Sequence, residues 1–230
     1  MTRRTLIDFF ADVTSAPRTA RADFLAFDDG YRTWAWTYGE LAGRAAHFAD
    51  RLRAAGITAG QHIAIWSENR PEWIAALWGA LREGVVIVPI DYRASADFLR
   101  VVAGIVDAKA VLVGDVVDAG SLGSERPIWS LHECCRGTAD ATGEPAEVPR
   151  VAPGAPHIDA DTTAEIIFTS GATADPKGVI LTHRNILANI VPIEREMAKY
   201  RKYIRLFSPI RFLNLLPLSH MFGQAMATFV

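Results

Sequence analysis

The chain has 230 residues, half of them hydrophobic and 22% charged, with a formal net charge of −2. That is the profile of one large globular domain or two small ones, and nothing in it suggests nucleic acid or an acidic lipid surface as an obligatory partner. The only cysteines, Cys134 and Cys135, are adjacent, a spacing that rarely meets disulfide geometry, so both are expected as reduced thiols in a cytoplasmic protein.

The first ten residues carry two arginines but no long apolar stretch and no small-residue cleavage site, so they do not read as a secretory leader. The longest apolar run, Val85 to Ile90, is strand-sized and too short to span a bilayer. No Cys/His cluster has zinc spacing.

In chain order, Leu6 to Asp12 predicts a short helix and Asp23 to Asp28 a strand turned by Asp29-Gly30. Thr37 and Glu40 form a T-x-x-E capping box. Leu41, Ala45, Phe48 and Leu52 then recur at helical spacing, and Gly56 stands at the stop position. His62 to Trp66 predicts a buried strand. Asn69 and Glu72 are expected to cap a helix with Pro71 in its first turn, carrying Trp73, Ala76, Leu77 and Leu81 and ending near Gly84. Trp66, Trp73 and Trp78 read as core packing.

Val85 to Ile90 is another strand. Ser95 opens a helix through Phe98, Val102 and Ile105, and Ala110 to Val113 is the next strand. Residues 136 to 162, rich in Gly, Ala, Pro, Thr and Asp, read as a surface connection. Ala164 to Phe168 is a strand, Thr182 to about Lys202 a long helix, Phe212 to Leu216 a strand, and a further helix starts near Met221. Continuous apolar strands alternating with amphipathic helices predict an α/β fold with a mostly parallel sheet.

The chemistry concentrates in Thr169-Ser-Gly-Ala-Thr-Ala-Asp-Pro-Lys-Gly178, expected to follow a strand and precede a helix. Hydroxyls, small residues and a lysine in one turn suit phosphate oxygens, because backbone N–H groups can approach closely and lysine adds a mobile charge. It is not an ordinary P-loop, which needs glycine before its lysine and Ser or Thr after it; here Pro176 and Gly178 flank Lys177. Composition alone also allows a plain flexible turn.

The order of these residues closely resembles the signature loop of adenylate-forming enzymes, T-S-G-T-T-G-x-P-K-G-V. All but two of the fixed positions are kept, and Thr182-His183 follows as it does in the family. The resemblance runs along nearly the whole chain, through Trp36-Thr-Tyr-Gly-Glu-Leu41, Glu68-Asn-Arg-Pro-Glu-Trp73, the stretch from Gly84 to Tyr92, and Leu216-Pro-Leu-Ser-His-Met-Phe-Gly223. The last is most similar to long-chain acyl-CoA synthetase-like members.

That resemblance implies an AMP-forming acid–thiol ligase, which joins a small-molecule carboxylate to ATP and passes the acyl group to coenzyme A, or in some members to a carrier protein. It implies that Thr169, Ser170, Gly171, Ala172, Thr173, Ala174 and Lys177 line the phosphates, that Thr169 helps hold Mg²⁺, and that His220 lines the wall between nucleotide and acyl pocket; outside its motif, such a histidine is more often a packed or capping one. Ala172 and Ala174 depart from the family's threonine and glycine, which predicts weaker ATP affinity and leaves a catalytically dead remnant or phosphate-binding module as the alternative.

The resemblance further implies stacked sheet-and-helix subdomains, one at about residues 45 to 200 and a second, unfinished, from 1 to 44 plus 205 to 230. The family's ribose-binding, adenine-binding and C-terminal parts lie beyond this sequence, so these residues alone are expected to be inactive. The basic stretch Lys199 to Arg205, with Arg195 and Arg211, reads as a solvated face, or as a surface for peripheral contact with anionic headgroups.

Overall fold

The structure, a computed structural model, describes residues 3–14, 16–123, 125–135, 156–169, 176–200 and 212–229. Two helices open the chain, α1 (Leu6–Thr14) and the short α2 (Pro17–Ala20). An antiparallel hairpin follows, β1 (Asp23–Asp28) and β2 (Thr33–Thr37). Then come α3 (Tyr38–Ala54), β3 (His62–Ser67), α4 (Pro71–Arg82), β4 (Val86–Asp91), α5 (Ala96–Ile105) and β5 (Ala110–Val113). A 3₁₀ turn (Ala119–Leu122), β6 (Ile128–Ser130) and α6 (Leu131–Cys134) lead to the connection, whose residues 136–155 lie outside the described part. Beyond it are β7 (Thr163–Thr169), β8 (Lys177–Thr182), α7 (His183–Lys199) and α8 (Met221–Gln224), which continues as a π-helical turn (Ala225–Phe229).

The main sheet has the order β6-β5-β3-β4-β7-β8. Every pairing in it is parallel except β7 with β8. The period-two alternation of the strands sends side chains to two cores. Ile63, Ile65, Ile87 and Leu112 face α1, α3, α4, α6 and α7. Ala64, Trp66, Val88, Ile90, Val111 and Val113 face α5 and the 3₁₀ turn. Such double coverage is why these strands read as unbroken apolar runs.

The helix signals hold locally. Thr37 accepts from the Glu40 amide at 3.2 Å and the Glu40 carboxylate accepts from the Thr37 amide at 2.7 Å, completing the capping box. Leu41, Ala45, Phe48 and Leu52 are fully buried. Gly56, at φ 70, takes the left-handed turn that stops α3. Ser95 caps α5 as expected, but Ile105 in its last turn is 57% exposed, because α5 buries only the stripe through Leu99, Val102 and Ala103. Trp73, Trp78 and Trp66 are all buried. Phe10 stacks on Trp78 at 4.3 Å, and Phe229 meets the same ring edge-on at 5.5 Å, which seats the C-terminal turn against α1 and α4.

Three expectations are overturned. Asn69 does not cap α4: the N-cap is Arg70, with no side-chain cap hydrogen bond, and Asn69 spends both polar atoms elsewhere. Glu72 is buried between the Arg70 guanidinium at 3.3 Å and the His132 ring at 3.1 Å. A strand, β8, intervenes between the signature loop and α7, because Val179, Ile180 and Leu181 are good strand formers with β7 available as a partner. Finally, Phe212 to Leu216 is not a strand; no described strand pairs with it, and Phe212, Leu213 and Leu215 are exposed. Residues 201–211, with most of the basic stretch, lie outside the described part.

Candidate functional site

The carboxyl ends of parallel strands, where connections leave toward opposite faces, are where α/β sheets bind ligands. Here β3 leads into α4 on one face and β4 into α5 on the other. Ile87 of β4 pairs with Glu165 of β7. Both strands run four residues further, to Asp91 and to Thr169, so their ends lie level on this edge.

From the end of β7 the chain makes its signature loop and returns as β8. Thr169 is paired in register with Lys177, so the two anchors of the loop sit directly opposite each other. The loop therefore spans a β-hairpin and does not open a helix. Lys177 is exposed and makes no ion pair with a described residue. Ser170, Gly171, Ala172, Thr173 and Ala174 lie outside the described residues, and Thr169 is placed by its backbone alone. Across the hairpin, Gly178 packs so tightly that a Cβ would lie 2.8 Å from the Ile166 side chain.

His220 comes to the same edge by another route. It is the N-cap of α8, its amide donating to the Pro217 carbonyl at 3.1 Å. Its ring Nε2 is 3.9 Å from the Asp91 carboxylate. Arg93 holds that carboxyl below the usual range through hydrogen bonds at 2.9 and 2.7 Å; partial burial opposes it, and the nearby His220 helps further. Asn69, just beyond β3, fixes the turn before His220 by accepting from the Leu218 amide and donating to the Leu216 carbonyl, each at 2.8 Å. Sequence reasoning singled out both motifs but not the bond between them; the signal was an Asn in one block and a proline-bounded turn in the other.

A cleft of about 570 Å³ lies at the ends of β3 and β5. Asp28, Asp29, Glu68 and Asp115 line it with Arg70 and His132, and Arg70 is already paired with Glu68 and Asp115. Its charge is wrong for a phosphate, whereas Lys177 at the foot of the loop, with no ion pair to a described residue, has the right sign. No group of three His, Cys, Asp or Glu side chains capable of holding a metal occurs among the described residues. An ion such as Mg²⁺ would fit this edge only through phosphate oxygens, water and single protein oxygens, its usual mode. No helix among the described residues is long and apolar enough to cross a membrane.

The chain is 34% identical over 180 residues to the probable non-canonical nonribosomal peptide synthetase CymA of Salinispora arenicola, covering 78% of this chain and 2% of that protein. It is 29% identical over 221 residues to the chloroplastic long-chain-fatty-acid–acyl-carrier-protein ligase of Arabidopsis thaliana, covering 84% of this chain and 29% of that one. Against the crotonobetaine/carnitine–CoA ligase of Proteus mirabilis it is 30% identical over 162 residues, covering 66% and 31%.

In three dimensions it superposes on VinN with a TM-score of 0.72 at 24% identity, covering 99% of this chain and 54% of VinN. The N-terminal subdomain of Klebsiella oxytoca NpsA matches with a TM-score of 0.63 at 25% identity, covering 80% and 43%. The chain thus spans about half of its solved neighbours and less than a third of these curated relatives. Residues 14–230 match the AMP-binding enzyme family, and with the signature loop anchored on a strand end of a mostly parallel sheet, the chain belongs to that family of adenylate-forming ligases.

Proposed function

We propose that the protein carrying this chain is an ATP-dependent ligase that activates a carboxylic acid, a fatty acid by substrate class, to an acyl-adenylate and then to an acyl-CoA. In the first step a carboxylate oxygen attacks the α-phosphorus of ATP and the bond to the β-phosphate bridging oxygen breaks, releasing pyrophosphate. In the second, a thiol sulfur attacks the acyl carbonyl, loses its proton to solvent or base, and releases AMP.

The observation that carries the reading is Lys177, held opposite Thr169 at the carboxyl end of β7 with no described acid to neutralise it. Lys177 would stabilise the departing pyrophosphate charge, with Thr169, Ser170, Gly171, Ala172, Thr173 and Ala174 lining the β- and γ-phosphates. Mg²⁺, when bound with ATP, supplies charge neutralisation across the phosphates, and Thr169 would give it one oxygen. His220, tethered near Asp91, would form the wall between nucleotide and acid. The similarity to a long-chain-fatty-acid ligase supports the acid class.

The test is acid-dependent exchange of pyrophosphate into ATP by the intact protein over a panel of fatty and aromatic acids. Exchange with fatty acids is expected; none with any acid overturns the reading and leaves a phosphate-binding module, which the loop residues Ala172 and Ala174 favour. Lys177→Met should weaken ATP binding about ten-fold or more, the loss of one charged hydrogen bond. Delivery to a carrier protein is the second reading, favoured by the carrier-protein ligase and the peptide synthetase among the relatives. Thioester formation on a phosphopantetheinylated carrier but not on CoA would establish it. Residues 1–230 alone are expected to catalyse neither step.

A further inference from the structure

Three elements close on the turn that carries His220. Pro217 to His220 make a tight turn, the His220 amide donating to the Pro217 carbonyl at 3.1 Å. Asn69 ties it to the end of β3. Asn214 binds it from the preceding segment: its Oδ1 accepts the Leu216 N–H at 3.2 Å, and its Nδ2 donates to the Leu216 carbonyl at 3.4 Å and to the Gly223 carbonyl at 3.3 Å. The Gln224 amide donates to the His220 carbonyl at 3.1 Å, so α8 starts directly on the turn.

The third element, α8, makes its contact through Gly223. This residue is buried and its backbone is helical, so space and not conformation calls for glycine. A Cβ there would lie 2.1 Å from the Pro217 oxygen, 2.8 Å from the Pro217 carbonyl carbon and 3.1 Å from the Leu216 oxygen. All three are backbone atoms and cannot rotate aside. The first is the acceptor of the His220 N–H. A side chain at 223 therefore fits only if α8 and the turn separate by about 1 Å or more. That separation acts on the hydrogen bond that sets the His220 backbone.

We propose, resting on the reading of His220 as the wall between nucleotide and acid, that Gly223 is a positioning residue for acid activation. Its missing side chain lets α8 close on the Pro217 carbonyl and so fixes where His220 stands beside Asp91, with Asn214 as the lock across the same contact. Gly223 touches no substrate. The signature loop is anchored on β7 and β8, whereas the seat of His220 is built from Asn69, Asn214 and α8. A shift of the seat thus acts on the acid side and leaves the phosphate anchors in place. Misplacing a positioning group by about 1 Å costs about 10²-fold in rate.

The test has two arms, both on the intact protein carrying Gly223→Ala. Without substrate, amide exchange at His220 should accelerate and the NMR signals of its ring should move, while exchange in β3 and β4 stays at the wild-type level. In acid-dependent pyrophosphate exchange, kcat/KM for the acid should fall about 10²-fold with KM for ATP unchanged. A His220 amide and ring that do not respond overturn the proposal whatever the activity. A displaced His220 with acid kinetics equal to wild type, or with equal losses toward acid and ATP, reduces Gly223 to packing and overturns it as well. A wild type inert toward every acid overturns the ligase reading and the kinetic half of the proposal with it, whereas the substrate-free arm still decides whether Gly223 seats His220. If Gly223→Ala does not fold, Asn214→Ala, which removes the lock and adds no atom, decides by the same two measurements, with the same pattern expected.

Discussion

The Asn69 side chain holds the backbone of Leu218, its Oδ1 accepting the Leu218 N–H at 2.8 Å across 149 residues of sequence. Its Nδ2 donates to the Leu216 carbonyl at the same distance. Asparagine suits this position because its amide presents one donor face and one acceptor face, as a neighbouring strand's backbone would. A segment with no strand partner is thereby fixed to the end of β3, and His220 follows two residues later.

Asn69→Ala should cost about 1–3 kcal/mol, two neutral hydrogen bonds at typical worth. The loss should be local, with amide exchange accelerating at Leu218 and through α8 in mass-spectrometric hydrogen–deuterium measurements. Asn69→Asp, which keeps only the acceptor, should fall between. Exchange at Leu218 equal to wild type in both variants would show that the turn is held by other means.

Gly79 lies where α4 crosses α3, and a Cβ there would sit 2.5 Å from the Ala45 carbonyl and 2.9 Å from the Phe48 ring. The first neighbour is backbone and cannot step aside. Gly79→Ala should therefore destabilise by about 1–3 kcal/mol, the usual cost of overpacking, despite alanine's better helix propensity. Chemical denaturation reads this directly, and a stabilised variant would mean that the two helices can slide apart cheaply.

His183 is fully buried at the start of α7, its Nδ1 accepting the Leu6 N–H at 3.1 Å. Burial pushes its pKa down to about 4 against the pull of Asp159 and Asp8. The unfolded chain takes up a proton near the ordinary value of 6.5 while the folded protein does not. This contribution to stability is thus complete above about pH 6.5 and lost as pH falls through 4. His183→Asn keeps an acceptor for Leu6 without the titration. Its stability should fall less steeply than wild type over that range, and parallel pH profiles would contradict the assignment.

Cys134 and Cys135 are both buried and unbridged, their thiols donating to the carbonyls of Leu131 and Glu72. Burial foremost, then the neighbouring Cys134, pushes the Cys135 thiol well up, so little thiolate forms at neutral pH. Native protein should resist iodoacetamide, with both thiols reacting only after denaturation. Rapid labelling of either one in the native state would place it on an accessible surface.

Much of the fold was legible because its signals are local. The Thr37–Glu40 box, the Ser95 cap and the apolar spacing after each were read from neighbours within a few residues, and the strands at Asp23–Asp28 and Ala110–Val113 have the bounds expected of them. The misreadings share a physical cause. Asn69 looks like a cap because its local context permits one, yet its partners lie 147 and 149 residues away. Lys177–Thr182 becomes a strand and Phe212 to Leu216 does not because only the former has a described neighbour to pair with. Of the candidate site, the loop and His220 were singled out by residue order and Asn69 only as a helix cap, while nothing in the sequence pointed to the approach of Asp91 to His220.

The sequence by itself determined the family, through a run of small, hydroxyl-bearing and basic residues in one order, and the alternation of buried strands with capped helices. Only the tertiary structure decided the strand order β6-β5-β3-β4-β7-β8, which sets the ends of β4 and β7 level and brings Asp91, His220 and the loop anchors to one edge. Caps and periodicity act within a few residues, so they can be read along the chain. Which strand lies beside which is fixed by burying both faces of the sheet at once, a condition on the whole molecule that no local stretch encodes.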